Sequence, residues 1–431
     1  MTQVHDNSSA TPRPDKAGPP GIGHQGWRQA APVVAVVFLA LVLSLATGSF
    51  PVVAFALAVV GMVMAHEAGH FLTAKLSGMK VTEFFFGFGP RLWSVRRGET
   101  EYGVKALPLG GYVKILGMSN LEADVDPADE ARTYRQQSYP RRLLVAVAGI
   151  AMHFVIALVV LTVVWTVVGI PQYDKPTTTI GDISRLRTGE SPAQLAGFQV
   201  GDRIVSYDGI TAKDWAELPP YIQPRAGQPI TFVALRHGEK VTLRATPTQV
   251  TRDGATVGFI GVGPKPVVDK VNPALGVVRA ARDTAELTWT SIGALGSFFS
   301  PDRLGNYASQ LTGGTSNGPT SANDANRPVS IVGVVRIAGQ AADAGIFPVL
   351  ELFVLLNIFV GVFNLVPLLP LDGGHVAIAT YERIRSRRGH RYHADVGKMM
   401  PVAVAMVALL LVLGATSIWL DIVRPLANPF Q

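Results

Sequence analysis

The chain has 431 residues, no cysteine and a net charge of +7. Apolar residues make up 48% and charged residues only 16%, against ~25% charged in an ordinary soluble domain. A disulfide framework and any thiolate site are excluded. The mean hydropathy of +0.28 points to membrane segments rather than nucleic acid, because the basic residues sit in loops between apolar runs.

Residues 1–30 are rich in Pro, Gly, Ser and Asp and read as a disordered cytoplasmic tail. Residues 31–65 are almost wholly apolar, too long for one crossing of a ~30 Å hydrocarbon core. Gly48-Ser49-Phe50-Pro51 divides the stretch into helices over 31–47 and 51–76. Arg28 before a short apolar core also admits a signal sequence ending near Gly48. In the basic segment 77–142, residues 81–116 alternate aromatic or β-branched residues with turn glycines and read as short strands. The apolar run 143–170 is the next helix.

Residues 171–265 read as a small β-rich domain, with strands such as Arg203–Tyr207 and Ile230–Leu235 set off by Asp208-Gly209 and His237-Gly238. Residues 266–345 read as a linker with a mobile Gly/Ser/Asn-rich loop at 301–328. A helix over 346–380, a basic loop over 381–398, and a last helix with a short tail over 399–431 complete the chain. The positive-inside rule puts 77–142 and 381–398 in the cytoplasm and 171–345 outside. Five crossings satisfy that charge bias.

His66-Glu67-Ala68-Gly69-His70 is an H-E-x-x-H. Histidines at i and i+4 stand one above the other on a helix, so both imidazoles can reach one metal ion. Glu67 beside them can accept a proton from water. Chance gives ~0.005 such matches in this composition. The motif also lies at the end of an apolar helix, where ionisable groups are costly unless they ligate or pair.

A catalytic zinc needs a third protein ligand. Glu83, Glu99 and Glu101 are downstream carboxylates with charged, turn-like neighbours. Asp372 is the stronger candidate, because it follows an apolar helix broken by Pro367 and Pro370 at membrane depth. Gly373-Gly374 lets the chain turn there. His375 is a competing ligand. Two other classes compete with an enzyme. A silent membrane scaffold leaves HEAGH and LDGGH without purpose, and a zinc transporter should carry polar residues in more helices.

At these residues the chain resembles the site-2 protease family, bacterial regulator-of-sigma-E-protease type. HEAGH and NLVPLLPLDGGH carry the likeness, with GFGP at 87–90, RRGETEYGVKALPLGGYVKILG at 96–117 and RPVSIVG at 327–333. SPAQLAGFQVGDRIVSYDG at 191–209 resembles the core of a PDZ domain.

The resemblance implies a polytopic α-helical membrane protein with a membrane-associated β-hairpin sheet and one extracytoplasmic PDZ-like domain, multi-pass in the bacterial inner membrane. It implies Zn2+ held by His66, His70 and Asp372, with Glu67 as catalytic base. It implies hydrolysis of single-span membrane proteins such as anti-sigma factors, trimmed beforehand by an upstream site-1 type protease. Substrate would add to the sheet at 81–116 near Gly87, Gly89, Gly110 and Gly111, and Asn364 would position it or its oxyanion. The extra apolar segment at 31–47 and the single PDZ-like core depart from the family pattern.

Overall fold

A proline in the first turn of a helix removes a donor that would have had no partner there. Pro51 opens α1 (Phe50–Leu76) in this way. The architecture is that of a computed structural model, which describes residues 35, 38–118, 125–172, 177–184, 189–252, 255–311, 327–386 and 392–426. Among these, four helices are long and apolar enough to cross a membrane: Phe50–Leu76, Tyr139–Val168, Ile346–Asn364 and Gly397–Val423. The further crossing expected at 31–47 is helical at 38–46, and most of its remainder lies outside the described residues. The expected tail at 1–30 also lies outside them. The chain divides into two compact units, one made of Met1–Ile156, Thr290–Ala344 and Leu355–Gln431, the other of Ala157–Trp289 and Gly345–Val354.

In the first unit, α1 is followed by β1 (Val81–Arg97) and β2 (Thr100–Ile115). Each long strand bends back on itself. Phe84 pairs with Tyr102 on one side and Val113 on the other, while Trp93 pairs with Val104. The result is four antiparallel runs in the spatial order 91–97, 100–105, 81–88, 111–115. The 111–115 run is an edge, and β2 packs on α1.

A small core of Ala74, Met79, Val81, Ile115, Tyr134 and Val145 ties the end of α1 to the sheet and to α2 (Tyr139–Val163). Beside it, the Arg132 guanidinium pairs with Glu99 through two hydrogen bonds of 2.8 and 2.9 Å. With the help of Lys75, it holds that carboxyl down to about 2 against the opposing effect of burial.

The second unit holds β3 (Ile170–Gln172), β4 (Ile180–Ile183), α3 (Pro192–Leu195), β5 (Arg203–Tyr207), β6 (Ile210–Thr211), α4 (Leu218–Ile222), β7 (Ile230–Arg236) and β8 (Glu239–Ala245). The strands β9 (Thr248–Arg252), β10 (Ala255–Phe259), β11 (Val262–Pro264) and β12 (Val267–Asp269) follow. Its largest sheet runs β6-β5-β7-β8. Alternate residues of β7 point inward, so Ile230, Phe232 and Ala234 are fully buried. They pack with Ile180, Phe198, Ile204 and Leu218. Ser191 and Gln194 form a capping box that starts α3. Buried Asp202 takes two hydrogen bonds from Arg236, at 2.8 and 2.7 Å, which hold its carboxyl below the usual range.

Residues 266–345 correct the expected linker and loop. They contain α5 (Pro273–Phe298), α6 (Pro301–Leu311) and α7 (Ile331–Ala344). The helical residues 301–311 fall inside the expected mobile loop, and residues 312–326 lie outside the described residues. Charges such as Arg279, Arg282, Asp283 and Glu286 dilute the apolar period of α5, so its composition resembles that of a linker.

The helix expected over 346–380 is two helices. α8 (Ile346–Asn364) ends before the proline segment, and α9 (Asp372–Arg385) begins after it. α10 (Met400–Val423) closes the described fold.

The RPVSIVG segment has a structural use in the first unit. Arg327 Nη2 donates to Asp421 Oδ1 at 2.8 Å, and the Ser330 N–H donates to Asp421 Oδ2 at 2.7 Å. Arg336 also donates to the Asp421 carbonyl at 2.9 Å. Both charged side chains of the pair are almost fully buried, at 2% and 1% exposure. Removing one partner of such a pair strands the other charge, at a cost of about 3–5 kcal/mol. Asp421→Ala is therefore expected to lower the unfolding midpoint markedly in detergent, read by thermal denaturation, while Arg327→Ala with Asp421→Ala together recovers part of the loss.

Candidate active site

Four residues make slightly more than one helical turn, so His66 and His70 rise from the same face of α1. Their ring centroids lie 4.8 Å apart and their Nε2 atoms 3.2 Å apart. Asp372 reaches them from the first turn of α9. Its Oδ2 is 3.2 Å from each Nε2. The chain arrives there through the tight segment 365–371, against which Gly373 packs. A Cβ on Gly373 would lie 2.3 Å from the carbonyl oxygens of Leu365 and Val366, so only glycine fits immediately after the aspartate.

One ligand atom from each of His66, His70 and Asp372 lies within 4.8 Å of the others. Two imidazole nitrogens and one carboxylate oxygen, with no thiolate, match the donor set of a catalytic zinc that keeps one position open. His70 Nδ1 lies 2.7 Å from the Val145 carbonyl. A carbonyl only accepts, so Nδ1 carries the proton and Nε2 is free for a metal. α2 supplies that carbonyl and comes very close to the cluster at Gly149, where an added Cβ would lie 2.3 Å from His70 Nε2 and 2.7 Å from His66 Cε1.

Glu67 follows His66 and points toward the sheet edge instead of joining the cluster. The Val113 N–H hydrogen-bonds its carboxylate. Gly111 lies against its stem, where a Cβ would come within 3.1 Å of Glu67 Cγ. A carboxylate held beside the two histidines, but outside their convergence point, is free to move a proton.

The other sequence candidates lie elsewhere. Glu99 pairs with Lys75 and Arg132, and Glu101 with Arg91. Glu83 accepts a hydrogen bond from Tyr112. His375, three residues into α9, is not part of the ligand cluster, and among the described residues only His66, His70 and Asp372 form such a group. Gly87, Gly89 and Gly110 carry positive φ at the bends of the sheet, and only Gly111 of the four glycines borders Glu67. Asn364 ends α8, half-buried and eight residues before Asp372.

The sequence reading missed Gly149, His153 and Asn357. His153 and Asn357 are fully buried. The available signal was their occurrence as isolated polar residues within the apolar runs 143–170 and 346–370.

The family model described as Peptidase family M50 matches residues 54–408. The chain is 37% identical to zinc metalloprotease Rip1 of Mycolicibacterium smegmatis, over 87% of this chain and 98% of the relative. It is 34% identical to zinc metalloprotease Rip1 of Mycobacterium tuberculosis, over 88% and 98%. The match covers α1 from residue 54 onward and encloses the sheet, α2, α8 and α9, so the elements that bring two histidines and an aspartate together are the ones shared. This chain therefore belongs to peptidase family M50, the site-2 protease type, and is a zinc metalloendopeptidase.

Proposed function

We propose that the chain is an intramembrane endopeptidase that cuts single-span membrane proteins in or near their transmembrane segment. In this reading His66, His70 and Asp372 hold the zinc and Glu67 is the general base. The observation that carries it is the convergence of the three ligand atoms at the end of the apolar helix α1 and just beyond the apolar helix α8. A ligand set built there serves a bond that also lies at membrane depth.

Zinc, when bound, polarises the scissile carbonyl and makes water acidic enough to react near neutral pH. Glu67 takes the proton from the attacking water and passes it to the leaving amine. The 111–115 edge supports delivery of an extended substrate. It lies beside Glu67, and an added strand replaces the helical hydrogen bonds the substrate gives up. Asn364 and the glycines Gly87, Gly89, Gly110 and Gly111 line that proposed path. Exposed Phe88, Leu92 and Leu107 on the sheet support its dipping into lipid.

The substrate class is anti-sigma-factor-like membrane proteins pre-trimmed by an upstream site-1 type protease. The location is the bacterial inner membrane, with 1–30, 77–142 and 381–398 cytoplasmic. The β-rich unit around 171–265 acts as an extracytoplasmic PDZ-like filter.

Metal analysis of purified protein together with cleavage assays tests this reading. Wild type should carry one zinc per chain, and His66→Ala or Asp372→Ala should fall well below it. The product termini, mapped by mass spectrometry on a tagged single-span substrate in membranes, should lie within or at the edge of the span. Full zinc in Asp372→Ala removes Asp372 from the ligand set. Cuts confined to an ectodomain overturn the intramembrane reading.

A further inference from the structure

A histidine that ligates a metal usually donates its other ring N–H to a fixed acceptor, which sets its tautomer and orientation. His70 has that acceptor in the Val145 carbonyl. His66 does not: its Nδ1 is buried and makes no hydrogen bond among the described residues. One other imidazole nitrogen shares that condition, Nε2 of His153, on a residue only 1% exposed. The two rings are neighbours, with centroids 5.1 Å apart and planes tilted by 47°.

The second histidine is held in one state by α8. Asn357 Nδ2 donates to the His153 carbonyl at 2.6 Å. That leaves Asn357 Oδ1 facing His153 Nδ1 at 2.8 Å. An amide oxygen only accepts, so His153 Nδ1 carries the proton and a neutral His153 has its lone pair on Nε2. His66 directs Nε2 to the ligand cluster, so its proton is on Nδ1. A buried donor and a buried acceptor, each without another partner, therefore stand on adjacent rings. The cost of leaving both unmade is of order 1–3 kcal/mol each. α8 packs directly on His153, where a Cβ on Gly361 would lie 2.9 Å from His153 Cβ.

We infer that His153 is a positioning residue for the metal site, accepting a hydrogen bond from the His66 Nδ1–H, directly or through one water, in a chain Asn357–His153–His66. A small ring rotation or a single water with two polar partners closes the gap. The chain crosses from α8 through α2 to α1. It orients the His66 ring and raises its basicity toward the metal. This inference rests on the proposed ligand role of His66.

The test compares variants of the full-length protein in detergent. His153→Gln keeps an acceptor near the Nε2 position, whereas His153→Asn keeps only a group near Nδ1 for Asn357. Zinc affinity, measured by chelator competition, should drop by about 10–100-fold in His153→Asn and stay close to wild type in His153→Gln. Both should still bind one zinc at saturation, a result that separates this idea from failure of the ligand set itself. With Co2+ in place of zinc, the visible ligand-field bands should shift in His153→Asn and not in His153→Gln.

A measurement on the wild type avoids dependence on folding of the variants. The Co2+ form should show two slowly exchanging imidazole N–H proton resonances, one for each ligating histidine. Wild-type affinity and bands in His153→Asn, equal losses in both variants, or only one protected N–H in the wild type would each overturn the inference.

Discussion

Glu67→Gln is expected to keep one zinc per chain and to lose cleavage by at least about 100-fold, the lower end of what general-base catalysis contributes. Glutamine has nearly the same volume and can still accept from the Val113 N–H that holds the Glu67 carboxylate. The stem packed against Gly111 is unchanged. What is lost is the ability to take a proton at neutral pH. Because the three ligand atoms come from other residues, the metal content should not change. The variant should retain substrate, since the ligand cluster and the 111–115 edge remain. Zinc assay and cleavage of a tagged single-span protein on the same membrane preparation provide the check. Near-normal turnover with zinc present would remove Glu67 from the proton transfer. Loss of zinc would mean that its carboxylate helps to hold the metal.

Gly149→Ala should do the opposite, losing the metal while keeping the base. The added methyl would stand 2.3 Å from His70 Nε2 and 2.7 Å from His66 Cε1. Neither ring can yield freely, because His70 is fixed by the Val145 carbonyl and both are held on one helix face. Either α2 moves off α1 or the histidines turn away from Asp372. The first choice is opposed nearby, since a Cβ on Gly69 of α1 would already lie 2.7 Å from the Ala148 carbonyl. The backbones are thus in direct contact, the close approach that small residues permit between membrane helices. Zinc affinity is expected to weaken by at least about 100-fold, beyond the usual effect of a residue that only orients a ligand. Chelator competition measures it, and retention of Glu67 chemistry appears as partial recovery of cleavage at high zinc. Wild-type affinity in a folded variant would show that α2 is not seated against the ligands.

Much of the site was legible because its first half is local. An i,i+4 histidine pair on an apolar helix shares a face whatever the rest of the chain does, and Glu67 is fixed beside it by adjacency. The apolar runs that became α1, α2, α8 and α10 were legible for a similar reason: hydrophobic length is a property of the segment itself. The amphipathic helices α5 and α7 were not, because charges interrupt their apolar period and their packing partners lie far away in sequence.

The third ligand marks the division between what sequence and tertiary structure determine. The sequence by itself determined that two histidines at i and i+4 and a neighbouring glutamate sit on one apolar helix, and a zinc site there calls for a third ligand. It offered Asp372, His375, Glu83, Glu99 and Glu101 for that place. Which of them arrives depends on a closure over 302 residues, set by the break at 365–371 and the packing of α9. The same holds for the groups behind the ligands. Val145, Gly149, His153 and Asn357 carry no motif, and their roles exist only because α1, α2 and α8 meet there. Local periodicity specifies a helix and its faces, but which faces meet is decided by side-chain volumes and by the need to partner each buried polar atom.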